Sequence, residues 1–186
     1  MKSAHSLRSH NGHTPTLHPS VYVDSSSAVI GDVCIDEDSS IWPMCAVRGD
    51  MHSISIGKRT SIQDNSVLHI THASDFNPGG WPLTIGDDVT VGHRCVLHGC
   101  TIGNRILIGI GSIVMDGAII EDEVIVGANS LVAPGKTLKS GWLYKGSPAK
   151  PARELKESER KFFKYTAGNY VKLKNQYLSE AEEPAG

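Results

Sequence analysis

Residues 102–138 read IGNRIL IGIGSI VMDGAI IEDEVI VGANSL VAPGKT L, seven successive aliphatic residues at a spacing of six. An α-helix repeats its apolar face every 3.6 residues and a half-buried strand every two, so neither yields this period. A hexad of the form [LIV]-G-x-x-x-x, with small or Val side chains two positions before each aliphatic residue (Val89, Cys95, Ser112, Ala118, Val124, Ser130), is the signature of a parallel β-helix. Each hexad is then a short strand and a turn. Gly, Asp and Asn are expected to supply the turn geometry, and stacked coils align the aliphatic residues into internal columns.

Outward from this stretch the frame continues to Tyr144, giving eight in-phase aliphatic or aromatic residues from Ile102. Towards the N-terminus it returns in shifted frames at Val23, Val29, Ile35, Ile41 and Val47, at Ile56, Ile62 and Leu68, and at Ile85, Val91 and Leu97. The frame breaks at Arg48–Ser53, at Thr71–Pro82 and at Gly99–Thr101. The middle break, rich in Gly, Pro and Asn, reads as an exposed loop without secondary structure, and long loops in compact domains are commonly functional.

Three segments follow: a polar N-terminal arm over 1–18, ordered only on contact or flexible; the β-helix over 19–150 with its inserted loop 71–82; and a C-terminal helix and tail over 151–186. In the last, Phe163, Thr166, Tyr170, Leu173 and Tyr177 fall on one face of an amphipathic helix spanning about Leu155 to Leu178. The fold class is all-β, a single-stranded parallel β-helix closed by one α-helix.

At 186 residues and a formal net charge of −2, the chain is long enough for one well-cored domain and offers no basic surface for nucleic acid or an anionic membrane. The absence of a long apolar run and of a signal-peptide pattern leads to the expectation of a cytoplasmic protein. The four cysteines form no CxxC pair, and Cys34 and Cys95 are expected as small buried residues in place of Ser, Ala or Val.

Four of the nine histidines, His69, His72, His93 and His98, lie between Leu68 and Gly99. His69 and His98 are 29 residues apart; without about eleven residues of insertion this is near 18, one turn of a three-sided β-helix. Each directly follows its aliphatic residue (Leu68, Leu97), so the two should stack in successive coils. His93 belongs at another corner, where a neighbouring subunit is the natural place for it to complete a site. Taken singly, each histidine reads as a surface residue. Together they favour a metal centre, with neutral imidazoles suited to Zn²⁺ and also to Fe²⁺ or Co²⁺. Arg48 and Asp50 interrupt the first frame and read equally as an ion pair or as catalytic groups, as does Asp64. Gln63 is an amide able to orient a water without adding charge.

Arg48-Gly-Asp50, Ile62-Gln63-Asp64, Leu68-His69, Val91-Gly92-His93 and Leu97-His98-Gly99 resemble the motif series of gamma-class carbonic anhydrases, over about residues 20–178. The His69-Ile-Thr-His72 segment is similar to that of the bacterial carbonic anhydrase-like subgroup, some of whose members are called transferase-like or ferripyochelin-binding. The resemblance implies a left-handed β-helix and a homotrimer with a metal at each subunit interface. His69 and His98 would come from one chain and His93 from its neighbour. It further implies reversible hydration of CO2 to bicarbonate by metal-bound hydroxide, with Arg48 and Asp50 in interfacial ion pairs and Asp64 as a paired structural acid. Gln63 would place the solvent, and Tyr170 would reach the site from the helix. Two departures stand out. Met51 occupies the place of a glutamate, and the loop carries only Asp75 and His72 where the prototype has an acidic proton shuttle; His72 is the substitute candidate. The alternatives are metal-assisted turnover of an acyl thioester and a non-catalytic trimer that binds metal or a metallophore.

Overall fold

The computed structural model describes residues 6–182, so His5 in the arm and the last residues of the tail lie outside the described part. The chain winds into a left-handed parallel β-helix of about eight turns, with the helix Glu157–Glu182 laid along it. Its short strands stack in three faces. One carries Val67–His69, Val96–His98, Ile113–Val114 and Leu131–Val132. The second carries Leu83–Ile85, Thr101–Ile102, Ile119–Ile120 and Thr137–Leu138. The third runs from Tyr22–Val23 through Ser61–Ile62 and Thr90–Val91 to Trp142–Lys145. The long strands Ala28–Ile35 and Ala46–Ile56 cross a corner and join the first two faces into one sheet: Ala46 and Val47 pair with Val67 and Leu68, whereas Ile54 to Ile56 pair with Leu83 to Ile85.

The period-six aliphatic residues fill the interior. Val29, Ile41, Val47, Ile62, Leu68, Val91, Leu97, Ile108, Val114 and Val126 have no accessible surface. Each such side chain contributes on the order of 1.5–3 kcal/mol on leaving water. The small residues two places earlier are buried too, because the short strand sends both inward around a corner.

Gly, Asp and Asn supply most of the turn geometry, as the sequence leads one to expect. The left-handed backbone recurs three residues after most of the aliphatic positions, at Asp38, Met44, Arg59, Asn65, Asp88, Arg94, Arg105, Glu123 and Asn129, with Gly111, Gly117, Gly135 and Gly141 in the same place. The glycines that directly follow the aliphatic residue serve close coil stacking instead. A Cβ on Gly57 would lie 2.7 Å from the Gly86 carbonyl carbon one coil on, and no side chain fits there.

One expectation needs correction, and two others gain detail. Cys34 is exposed while Cys45, Cys95 and Cys100 are buried: Cys34 immediately precedes the inward Ile35 on a strand and so points outward. The arm meets the first coils, with Leu7 and Arg8 pairing with Val29 and Ile30, and Thr16 and Leu17 with Cys34 and Ile35. The helix starts at Glu157 and continues to Glu182. Its buried face includes Phe163 and Thr166 of the expected stripe together with Ala167 and Lys174, the last fully buried and paired with Asp38 at 2.9 Å, whereas Tyr177 of that stripe stays 44% exposed. No helix is long and apolar enough to cross a membrane among the described residues.

Candidate metal centre

Parallel stacking of Val67–His69 on Val96–His98 sets Leu68 beside Leu97 and His69 beside His98. The two aliphatic side chains enter the core, and strand alternation turns both imidazoles outward at the same corner. His69 Nδ1 lies 3.0 Å from His98 Nε2. Each ring is tied at its other nitrogen to a carboxylate: His69 Nε2 donates to Asp50 Oδ1 at 3.1 Å, and His98 Nδ1 donates to Asp116 Oδ1 at 2.7 Å. Arg48 pairs with Asp50 from two residues away, inside the same chain. Burial pushes the Asp50 carboxyl up, but the hydrogen bonds from Arg48 and His69 outweigh this and leave it below the ordinary carboxylate range. For His69, burial is the largest influence and, with the Arg48 charge, lowers its pKa despite the Asp50 hydrogen bond.

This arrangement defines the donor set. Both carboxylates accept, so the nitrogens facing them carry hydrogen, and the two nitrogens facing each other are left with lone pairs. Two lone pairs at this separation repel unless a proton or a cation lies between them. Two tetrahedral ligands at zinc–nitrogen distances are ~3.3 Å apart, close to the separation found here. The residues therefore fit a divalent metal.

His93 is on a different face. It follows Thr90–Val91 in the sheet that continues to Leu107–Ile108, is half exposed, and donates from Nδ1 to Asp64 Oδ2 at 2.9 Å. The third histidine thus repeats the carboxylate-tethered pattern, with no hydrogen bond to its Nε2 among the described residues. Beside it, Gln63 Nε2 donates to the Tyr170 hydroxyl at 2.6 Å, which leaves Gln63 Oε1 as a free acceptor. Burial raises the Tyr170 pKa, helped by the Asp64 charge and opposed by the Gln63 hydrogen bond, so the hydroxyl stays protonated. A groove of about 450 Å³ opens here between the β-helix and the C-terminal helix, lined by His93, Gln63, Ile108, Ile110, Phe162 and Tyr170 among others.

The candidate residues therefore divide into two half-sites. His69, His98, Asp50 and Arg48 share one corner. His93, Asp64, Gln63 and Tyr170 share another. Among the described residues no three histidine, cysteine or acidic side chains gather within metal-binding reach in one chain. His72, exposed on the inserted loop, joins neither group by a hydrogen bond. Asp116 was missed in the sequence, although it stands 18 residues after His98, one coil further along the same corner. The coil spacing that pairs the histidines was the signal for it.

No family model matches the chain. It is 54% identical over 177 residues to Protein YrdA of Escherichia coli, spanning 95% of this chain and 96% of that one. It is 40% identical over 174 residues to a carbonic anhydrase of Geobacillus kaustophilus, covering 94% of this chain and 91% of its relative. The chain belongs to the gamma-class carbonic anhydrase-like family. Gamma carbonic anhydrase 1 of Arabidopsis thaliana, a mitochondrial protein, is 39% identical over 91% of this chain, which spans 62% of that relative's length. Among solved structures, a hexapeptide transferase family protein from Anaplasma phagocytophilum superposes with a TM-score of 0.86 at 39% identity, covering 93% of this chain and 98% of the other. A putative acetyltransferase from Bacillus cereus gives 0.87 at 38%, covering 93% and 96%. The ligand candidates of this chain lie at two separate corners of the β-helix.

Proposed function

We propose that the chain is a metal-dependent, carbonic anhydrase-like enzyme that hydrates CO2 reversibly at sites shared between subunits of a homotrimer. The observation that carries this reading is the pair of facing imidazole nitrogens, His69 Nδ1 and His98 Nε2, each ring tethered behind by a carboxylate. His93 of a neighbouring copy would supply the third ligand. Its ring is half exposed and its Nδ1 is held by Asp64, which leaves Nε2 for the metal. Zn²⁺ suits three imidazoles, and Fe²⁺ or Co²⁺ would accept the same set.

A bound cation would supply Lewis acidity, which brings the pKa of water to about 7. The chain's own residues do the rest. Asp50, Asp64 and Asp116 fix the tautomers and orientations of the histidines. Gln63 Oε1, freed because its amide nitrogen is committed to Tyr170, accepts a hydrogen bond from the attacking solvent and aims its lone pair at the carbon. Arg48 keeps Asp50 ionised. His72, exposed on the loop, carries the released proton to buffer.

A second reading has its own support. The groove beside His93, at about 450 Å³ and largely apolar, is far roomier than CO2 requires and would seat an acyl thioester, whose carbonyl carbon is open to the same attack. Metal analysis with stopped-flow CO2 hydration and acyl-CoA hydrolysis on the zinc-loaded protein separates the two. Subunit mixing tests the shared site. His69→Ala and His93→Ala proteins should each be inactive, and unfolding and refolding them together should restore part of the activity, because some interfaces then hold three intact histidines. Failure to complement would reject a site built from two chains.

A further inference from the structure

The loop 71–82 is tied to the His69/His98 corner at its neck. Thr71 and Trp81 exchange backbone hydrogen bonds at 3.1 and 2.8 Å, closing the loop into a ring with Phe76 fully exposed at its far side. Trp81 lies over two glycines of the coils below. A Cβ on Gly117 would meet its ring at 3.1 Å, and one on Gly99 would stand 2.7 Å from Trp81 Cβ while overlapping Asp116 Oδ1. The first residue of the loop then reaches Asp116 directly, with Thr71 Oγ1 donating to Oδ2 at 3.1 Å. Asp116 is thereby divided: Oδ2 takes the loop's hydroxyl and Oδ1 takes His98 Nδ1–H. A further tether holds the far arm of the ring. His52 Nδ1 accepts the Ser53 N–H at 2.8 Å, which places the proton on Nε2 for donation to Gly79 O at 3.2 Å.

We infer that Asp116, held by Thr71 at the loop's neck beside Trp81, is a positioning residue. It locks His98 as the Nδ1–H tautomer so that Nε2 presents its lone pair to the ligand partner His69. The inserted loop therefore acts on the site through its neck, by setting the orientation of Asp116. Free imidazole side chains favour the opposite tautomer, with hydrogen on Nε2, which would block the lone pair needed beside His69. A carboxylate fixed at both oxygens overrides that preference, as carboxylates behind metal-bound histidines do. The gain in metal affinity rests on the metal reading above; the tautomer does not.

The test uses ¹⁵N-labelled imidazole NMR on the metal-free protein together with zinc affinity by chelator competition. In the unaltered chain His98 should give the Nδ1–H pattern. Thr71→Val, which keeps shape and removes the hydroxyl, and Trp81→Ala should both move His98 towards the Nε2–H pattern and weaken zinc binding about tenfold. Asp116→Ala should do so more strongly. Thr71→Ser, which restores the donor, should recover both readouts. The signals of His93, tied to Asp64 on another face, serve as the control and should stay in place, which separates positioning from general loosening. An unchanged His98 tautomer in Thr71→Val and Trp81→Ala overturns the inference. If the tautomer moves but the unaltered protein binds no zinc, the positioning stands and the metal reading fails.

Discussion

Lys174 is the sharpest place to perturb the docking of the C-terminal helix. Its side chain is 1% exposed, and its ammonium meets Asp38 Oδ1 at 2.9 Å and Asn175 Oδ1 at 2.6 Å; Asp38 itself retains 32% of its side-chain surface. The pair is therefore asymmetric. Removing the lysine leaves an aspartate that water can still solvate, whereas removing the acid leaves a buried cation without a counter-charge. Replacing a buried ion with an apolar residue of similar volume is commonly neutral or stabilising, and stripping its partner costs about 3–5 kcal/mol. Asp38→Asn is the right removal, because Asp38 has φ 59°, a backbone state asparagine tolerates, so only the charge is lost. The expectation is a loss of about 3–5 kcal/mol for Asp38→Asn and a change within about 1 kcal/mol for Lys174→Met. In a chain of this size ~1 kcal/mol corresponds to ~2–4 °C, so the melting temperature should fall by about 6–20 °C in the first and hardly move in the second. Calorimetry measures this, and hydrogen exchange over 157–182 should show the helix loosening first. Tyr170 lies one turn before Lys174, so the same variant should weaken the seating of Gln63. Equal costs for the two variants, or a larger cost for Lys174→Met, would refute the asymmetry.

Tyr170→Phe removes the 2.6 Å hydrogen bond and leaves the nearly buried Gln63 amide nitrogen unsatisfied, a loss of ~1–3 kcal/mol. The CO2 hydration rate should fall about tenfold, equivalent to ~1.4 kcal/mol in the barrier, with zinc content unchanged on metal analysis. His72→Ala should lower kcat in dilute buffer, and added imidazole should restore it; full turnover at low buffer would remove the shuttle role. Burial pushes the Cys45 and Cys100 thiols up to about 11 and about 12 and raises Cys95 as well. With a thiol reagent at pH 8 at most Cys34 should react quickly, and all four only after unfolding. Gly109→Ala should destabilise the coil stack, since its Cβ would lie 2.5 Å from the Ala128 amide nitrogen; a melting temperature equal to that of the unaltered chain would contradict the packing.

Much of this architecture is written in the sequence because the β-helix is a local repeat. A residue's interior or exterior fate depends on its place in the hexad, so Ile102 to Tyr144 declared the core columns without any knowledge of distant contacts. The same arithmetic set His69 over His98. It misplaced Cys34, where strand alternation within the coil overrode resemblance to a small core residue. It named Gly, Asp and Asn as the turn formers, and they hold most of the left-handed positions, but Met44, Arg59, Arg94, Arg105 and Glu123 share that backbone state, which composition does not reveal.

The sequence by itself determined the coil, the inward columns, the amphipathic helix and the corner shared by two histidines, because each follows from periodicity along the chain. Only the tertiary structure decided what those side chains touch. It showed Asp116 behind His98, Trp81 laid over Gly99 and Gly117, Tyr170 meeting Gln63 across 107 residues, and a fully buried Lys174 on an otherwise polar stretch of helix. Hydrogen bonds and charge pairs are satisfied by direction and distance, to a few tenths of an ångström, and a repeat six residues long fixes neither between elements far apart in the chain.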